Sequence, residues 1–171
     1  MNIHIPVSRP VLPNQVAVAP YIEAMHASGL FTNNGPLVRE LERRIAALVN
    51  VDAEQVVLTN TATQALASLV AVMKPELWHV PDWTFTATGL AVLAAGKKLT
   101  LDDVDERTWR LRSYARDTSE GSILVTPFGG LVGAASLPAD STVIVDAAAS
   151  LGALEDLSAL GDEHAVMYSL H

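Results

Sequence analysis

No cysteine occurs among the 171 residues, which excludes disulfides and thiolate-bound metals and is compatible with a reducing cytoplasm. Charge is scarce: Asp, Glu, Lys and Arg make up 18 % of the chain, and 11 basic against 19 acidic side chains leave a net charge of −8. That balance argues against a nucleic-acid surface, and no Lys/Arg cluster contradicts it. No apolar run approaches the roughly 20 residues needed to cross a bilayer. The opening Met1-Asn2-Ile3-His4-Ile5-Pro6 lacks a basic region followed by an apolar one, so no signal peptide is expected. Neither a Walker loop nor a dinucleotide fingerprint follows any strand. What is abundant is apolar surface, since hydrophobic residues make up 50 % of the chain. Such a composition implies a sheet buried on both faces, or apolar surface left for a partner. The length suits one domain with a real core, expected to be soluble and cytoplasmic.

Pro6, Pro10 and Pro13 predict an extended arm over 1–19, followed by a short helix over 20–27 that ends at Gly29. Phe31-Thr32-Asn33-Asn34-Gly35-Pro36 is dense in turn formers, and Pro36 suits the first turn of a helix. Leu37, Val38, Leu41, Ile45 and Leu48 fall on one face of that helix. Beyond Asn50 the periodicity predicts strands over 55–58, 77–80, 98–101, 123–126 and 143–145, with helices over 61–73 and 84–95. Alternating strands and helices imply a three-layer α/β/α fold with a mostly parallel sheet. The Gly/Ala/Pro-rich stretch from Gly129 to Asp140 offers no helix for its crossover. Residues 1–35 read as an arm, short helix and loop, and residues 36–171 as the sheet-bearing part.

The most informative run is Val143-Ile144-Val145-Asp146-Ala147-Ala148-Ala149-Ser150. Its β-branched residues suit an interior parallel strand, and a carboxylate at the strand tip sits where open α/β sheets bind ligands. Burying Asp146 requires a cation or a strong donor; the plainer alternative is a capping or solvent-facing residue. Thr59-Asn60-Thr61-Ala62-Thr63-Gln64 leaves backbone amides at a helix N-terminus, where a phosphate fits, although simple capping by Asn60 or Thr61 explains it equally. Trp83 and Phe85, among hydroxyl residues at the next strand tip, provide either a platform for a flat ligand or core anchors. Thr126-Pro127-Phe128-Gly129-Gly130 ends a further strand in a tight turn. A phosphate cradle, an aromatic platform and a carboxylate together describe a site for a planar, phosphorylated, cationic heterocycle, and pyridoxal 5'-phosphate (PLP) fits.

At these residues the sequence resembles the DegT/DnrJ/StrS family of PLP-dependent sugar aminotransferases, which have the aspartate aminotransferase fold (fold type I). The resemblance runs from Ile5 to His171. It is carried by Phe31–Pro36 before Leu41-Glu42, by Ala62-Thr63-Gln64-Ala65-Leu66, and by Val80-Pro81 with Thr84-Phe85-Thr86-Ala87-Thr88. Asp103-Val104-Asp105 and Asp146-Ala147-Ala148 complete it. It implies that Ala62 and Thr63 hold the cofactor phosphate, that Phe85 stacks on the ring, and that Asp146 pairs with the ring nitrogen. Ser169 would supply a further phosphate hydroxyl, and Thr32, Asn33 and Asn34 would lie near a nucleotide-sugar substrate. The resemblance further implies an amino-acid amine donor and a homodimer. It implies no metal, nucleic acid or membrane.

The chain also departs from the family. Ala149 stands where the family carries Gln or a similar polar residue facing the cofactor's phenolic oxygen, and Ser150 is the candidate to compensate. The Schiff-base lysine is expected three residues beyond His171, and Lys74, Lys97 and Lys98 have no matching context. The chain thus reads as an incomplete large PLP-binding domain, without the C-terminal small domain and inactive as a transaminase by itself. Three alternatives remain: a shortened, non-catalytic relative acting as a binding or dimerising module, a PLP-dependent sugar dehydratase of the same family, and an unrelated phosphate-binding α/β transferase.

Overall fold

The computed structural model describes residues 11–115, 119–126, 137–151 and 157–170. It divides into two compact units, Met1–Leu41 and Glu42–His171, with the division inside a helix.

In the smaller unit, helix α1 spans Gln15–Ser28 and starts well before the expected position. Asn14 caps it by accepting the Ala17 amide at 2.9 Å, and Pro20 lies inside it. Residues 15–19 are therefore helical rather than part of an extended arm. Gly29 ends the helix in the left-handed conformation, at φ 67°, which glycine adopts without strain. Helix α2, Pro36–Val49, begins at its proline as expected. The expected apolar face holds only in part, with Leu37, Val38 and Ile45 half-buried. Leu41 and Leu48 are exposed, and the buried positions are Glu42, Ala46 and Val49. Glu42 is drawn inward by a backbone donor, because its Oε1 accepts the Leu58 amide at 3.4 Å.

That same bond explains a second correction. Residues 55–58 form no strand: a 3-10 turn covers Ala53–Gln55, and Val56 to Thr59 run extended outside the sheet. The Leu58 amide goes to Glu42, and the Val56 amide goes to the Ala53 carbonyl. These backbone groups are committed elsewhere before any ladder can form.

The larger unit holds helix α3 (Ala62–Val72), strand β1 (Leu77–Pro81), helix α4 (Thr86–Ala94), and strands β2 (Lys98–Asp102), β3 (Glu120–Val125), β4 (Thr142–Ala147) and β5 (His164–Tyr168). The five strands form a parallel sheet in the order β2-β1-β3-β4-β5. This is the expected α/β architecture, with β5 as a strand the sequence reading did not foresee. Leu66 and Val70 of α3, with Ala91 and Val92 of α4, pack on Trp78, Val80, Ile123, Ile144 and Met167. The opposite face carries Leu124, Val143, Val145 and Ala147, packed against Leu137, Tyr114 and Leu160. Val49, the last residue of α2, packs there with Leu157, Val166 and Tyr168. Residues 127–136, which include most of the glycine-rich crossover and the turn after Thr126, lie outside the described residues, as does His171.

Two features of the β1–β3 pairing lead to tests. A Cβ on Gly121 would lie 2.6 Å from the ring of the fully buried Trp78. Gly121→Ala is therefore expected to destabilise the chain by about 1–3 kcal/mol in urea unfolding. Trp78→Leu in the same chain should recover part of that loss, giving a non-additive double-mutant cycle.

His79 on β1 bridges Asp102 of β2 through Nδ1 and Glu120 of β3 through Nε2, the latter at 2.9 Å. Burial opposes the charged ring, but the hydrogen bonds and charges of Glu120 and Asp102 outweigh it and raise the histidine above its ordinary pKa. The folded state therefore holds this proton more tightly than the unfolded chain. The resulting stability is complete below about pH 6.5 and fades as pH rises through the folded value. His79→Gln should cost more stability at about pH 5.5 than at about pH 8.5 in paired melts. Equal costs would contradict the assignment.

Candidate active site

The C-terminal ends of parallel strands lie on one edge of the sheet, where the chain turns back and backbone groups leave the ladder. Asp146 stands there near the end of β4, only 6 % exposed. Its Oδ2 accepts the Thr88 hydroxyl at 2.9 Å and its Oδ1 accepts the Ala148 amide at 3.2 Å. The backbone carbonyl of Asp146 takes the Thr126 amide at 3.0 Å. Among the described residues no ion pair reaches this carboxylate. Burial raises its pKa above the ordinary value, and the Thr88 and Ala148 donors pull it back part of the way.

The segment after β1 presents two rings outward: Phe85 is 80 % exposed and Trp83 61 %. Neither is a core anchor, which answers the alternative left open by the sequence. Trp83 meets Trp109 edge to face, with ring centroids 6.0 Å apart. Between the two rings, the Thr84 hydroxyl turns inward to that of Thr88 at 2.9 Å. The Phe85 segment and Asp146 are thus joined through hydroxyls.

At the start of α3, Thr61 is the N-cap and accepts the Gln64 amide at 3.1 Å. The Ala65 amide reaches the Thr61 carbonyl. Capping is therefore real here, yet the first amides of the helix, those of Ala62 and Thr63, have no partner within the helix itself. Ala62 and Ser169 line one groove of about 810 Å³, walled by Val56 to Asn60 on one side and by His164 to Leu170 on the other. Thr63 is exposed and is not part of that wall. Ser169 follows β5, whose Met167 is paired in register with Asp146.

The Ser150 side chain is buried, and its hydroxyl lies 2.6 Å from that of Thr126; Ala149 is exposed. Thr32, Asn33 and Asn34 belong to the smaller unit, in a turn where Asn34 has φ 57°. The three lysines sit away from Asp146. Lys98 opens β2, Lys97 precedes it and pairs with Glu76, and Lys74 follows α3 and pairs with Glu163. Thr88 and Thr126 lie in the motifs quoted above but carry no expected role in the site. The four-residue spacing of Thr84 and Thr88 at a helix entry, which stacks two hydroxyls on one face, was the available signal for the first.

The parallel sheet that carries this buried carboxylate has the fold of solved PLP-dependent aminotransferases. The chain superposes on a putative PLP-dependent aminotransferase from Bacillus cereus with a TM-score of 0.71 at 18 % identity, covering 95 % of this chain and 49 % of that one. It superposes on a putative sugar aminotransferase from Streptococcus pneumoniae, in its PLP form, with a TM-score of 0.67 at 22 % identity, covering 88 % and 44 %. The chain belongs to the DegT/DnrJ/EryC1/StrS aminotransferase family, whose model matches residues 15–117. It is 33 % identical over 101 residues to the dTDP-4-amino-4,6-dideoxy-D-glucose transaminase of Shigella dysenteriae, covering 58 % of this chain and 27 % of that protein. The chain thus spans little more than a quarter of that curated relative. Among the described residues no helix is long and apolar enough to cross a membrane, and no cluster of His, Asp and Glu could hold a metal ion.

Because burial raises the pKa of Asp146, the folded chain holds this proton more tightly than the unfolded chain does, so the group's stabilising contribution is present at low pH and is lost as pH rises through the folded value. Asp146→Asn removes the ionised state. The melting temperature of the Asn variant, relative to the parent, should therefore rise between about pH 4 and about pH 7. A constant difference would contradict the burial cost.

Proposed function

We propose that this chain is the cofactor-facing part of a PLP-dependent aminotransferase that acts on nucleotide-linked keto-sugars. The observation that carries this reading is Asp146: a buried carboxylate at a strand tip, held by donors and facing no charged partner among the described residues. A pyridinium nitrogen would satisfy it. An opposite charge beside an acid also favours the ionised form, so Asp146 would hold the proton on that nitrogen. The cofactor, when bound, supplies an electron sink for amino-group transfer. Phe85 would cover one face of the ring and exclude water from it. The first amides of α3, at Ala62 and Thr63, would bind the phosphate with help from the helix dipole, and Ser169 would add a hydroxyl.

Thr32, Asn33 and Asn34 are the substrate-side residues on this reading. Family membership and the dTDP-sugar transaminase relative support the nucleotide-sugar and the amino-acid donor. The same reading takes the protein to be cytoplasmic and homodimeric. It assigns the covalent lysine to sequence outside these 171 residues, since Lys74, Lys97 and Lys98 are all remote from Asp146.

A cofactor analogue without the aldehyde, pyridoxine 5'-phosphate, tests the site without needing that lysine. Calorimetry should show binding that Asp146→Asn weakens by about tenfold or more, the size of a lost charge-assisted hydrogen bond. Phe85→Ala should weaken it as well. Undiminished binding in Asp146→Asn would overturn the reading. The chain alone should show no transamination of a dTDP-keto-sugar with glutamate.

A further inference from the structure

The Thr84–Thr88–Asp146 contacts have a direction that distances alone do not state. A threonine hydroxyl has one proton. Thr88 spends its proton on Asp146 Oδ2, 2.9 Å away. In the 2.9 Å contact between the two threonines, Thr88 must then accept and Thr84 must donate. Both protons point toward the carboxylate. Each donor in such a chain polarises the next, and the effect is strongest where water is excluded. Thr88 is 1 % exposed and Asp146 6 %, while Thr84 is half-buried. Protonating Asp146 on Oδ2 would require the Thr88 hydroxyl to turn its proton away from it. Among the described residues the other groups hydrogen-bonded to Asp146 outside the strand ladder are neutral: the Ala148 amide on Oδ1 and the Thr126 amide and hydroxyl on its carbonyl oxygen.

We propose that Thr84 and Thr88 are positioning residues, forming a one-way donor chain that holds Asp146 ionised and ties its orientation to the Trp83–Phe85 segment. The chain begins between the two exposed rings and ends on the carboxylate. Movement of the ring-bearing segment would loosen the donor that keeps the charge in place. The ring platform and the proton affinity of the acid are thereby coupled through three side chains. The inference rests on reading Asp146 as the partner of a ring nitrogen.

The test is a carboxyl-carbon NMR titration of the 171-residue chain without cofactor. Thr88→Val keeps the shape and deletes the hydroxyl, and should raise the Asp146 midpoint by about one pH unit, tenfold in proton affinity. Thr88→Ser should return it to within about 0.3 units of the parent. Thr84→Val should raise it by a smaller amount in the same direction. A midpoint unchanged in Thr88→Val, or a serine variant that titrates like the valine one, overturns the chain. If Thr88→Val loses its near-UV circular dichroism, Thr84→Val decides alone, and an unmoved midpoint there overturns the proposal. Adding pyridoxine 5'-phosphate to the parent separates the two readings. If the midpoints shift as expected but the Asp146 resonance ignores the analogue, the cofactor reading fails and the donor chain stands. An analogue response with unmoved midpoints overturns the donor chain only.

Discussion

The structure depends on the parallel direction of its five strands. Parallel neighbours cannot be joined by a tight hairpin, so each connection crosses a face and returns to the starting edge. Helix α4 does this between β1 and β2, and with α3 it covers the face built from Trp78, Val80, Ile123, Ile144 and Met167. In consequence the strand ends reached by Pro81, Asp102, Val125, Ala147 and Tyr168 open on one edge. The ladder stops there, and the polar groups left over must be satisfied by side chains. Thr126 on the Asp146 carbonyl, Thr88 on its carboxylate and the Thr126–Ser150 pair are that satisfaction. The lysines fall at the opposite edge or beyond it, which segregates cations from the acid.

Holding an anion in such a place is a matter of opposing terms. Desolvation pushes Asp146 toward its neutral form, and two neutral donors resist. Hydrogen bonds to a charge are worth about 1.5–3 kcal/mol each, the same order as the cost of moderate burial. Desolvation prevails, since the net shift is upward. That cost suits binding, because a cation arriving beside Asp146 would relieve it.

The fold was legible wherever one physical signal ruled locally. Val143 to Val145 is β-branched and lies in an interior strand, buried on both faces, and the burial of Asp146 at its tip was the very property that needed explaining. It failed where partners distant in sequence decided. Residues 55–58 have the composition of a strand, but Glu42 takes the Leu58 amide. Leu41 and Leu48 have the spacing of a core face, yet Glu42, Ala46 and Val49 are the buried positions. His164 to Tyr168 is a short run with one β-branched residue, Val166, and becomes a strand by pairing with β4. At the site, residue types and strand tips were readable. The hydroxyl network was not, because Thr88 is 58 positions from Asp146.

Phe85 supplies a different kind of argument. It occupies the N-cap of α4, where Ser, Thr, Asp or Asn would accept an orphan amide, and it makes no side-chain cap. Forgoing a cap costs typically about 1 kcal/mol, and leaving a phenyl ring 80 % exposed gains nothing back from burial. Threonines stand on both sides of it, at 84 and 86, and one of them at this position would have capped the helix. Nor is the ring among the residues of the core that Val80, Ala91 and Val92 help to build. A position that breaks its local rule twice with no structural return is where function is to be sought. Here the ring stands one residue from Thr84, whose hydroxyl leads by way of Thr88 to the buried acid. An uncapped helix start and an exposed ring are explained together if a flat ligand completes the environment of both.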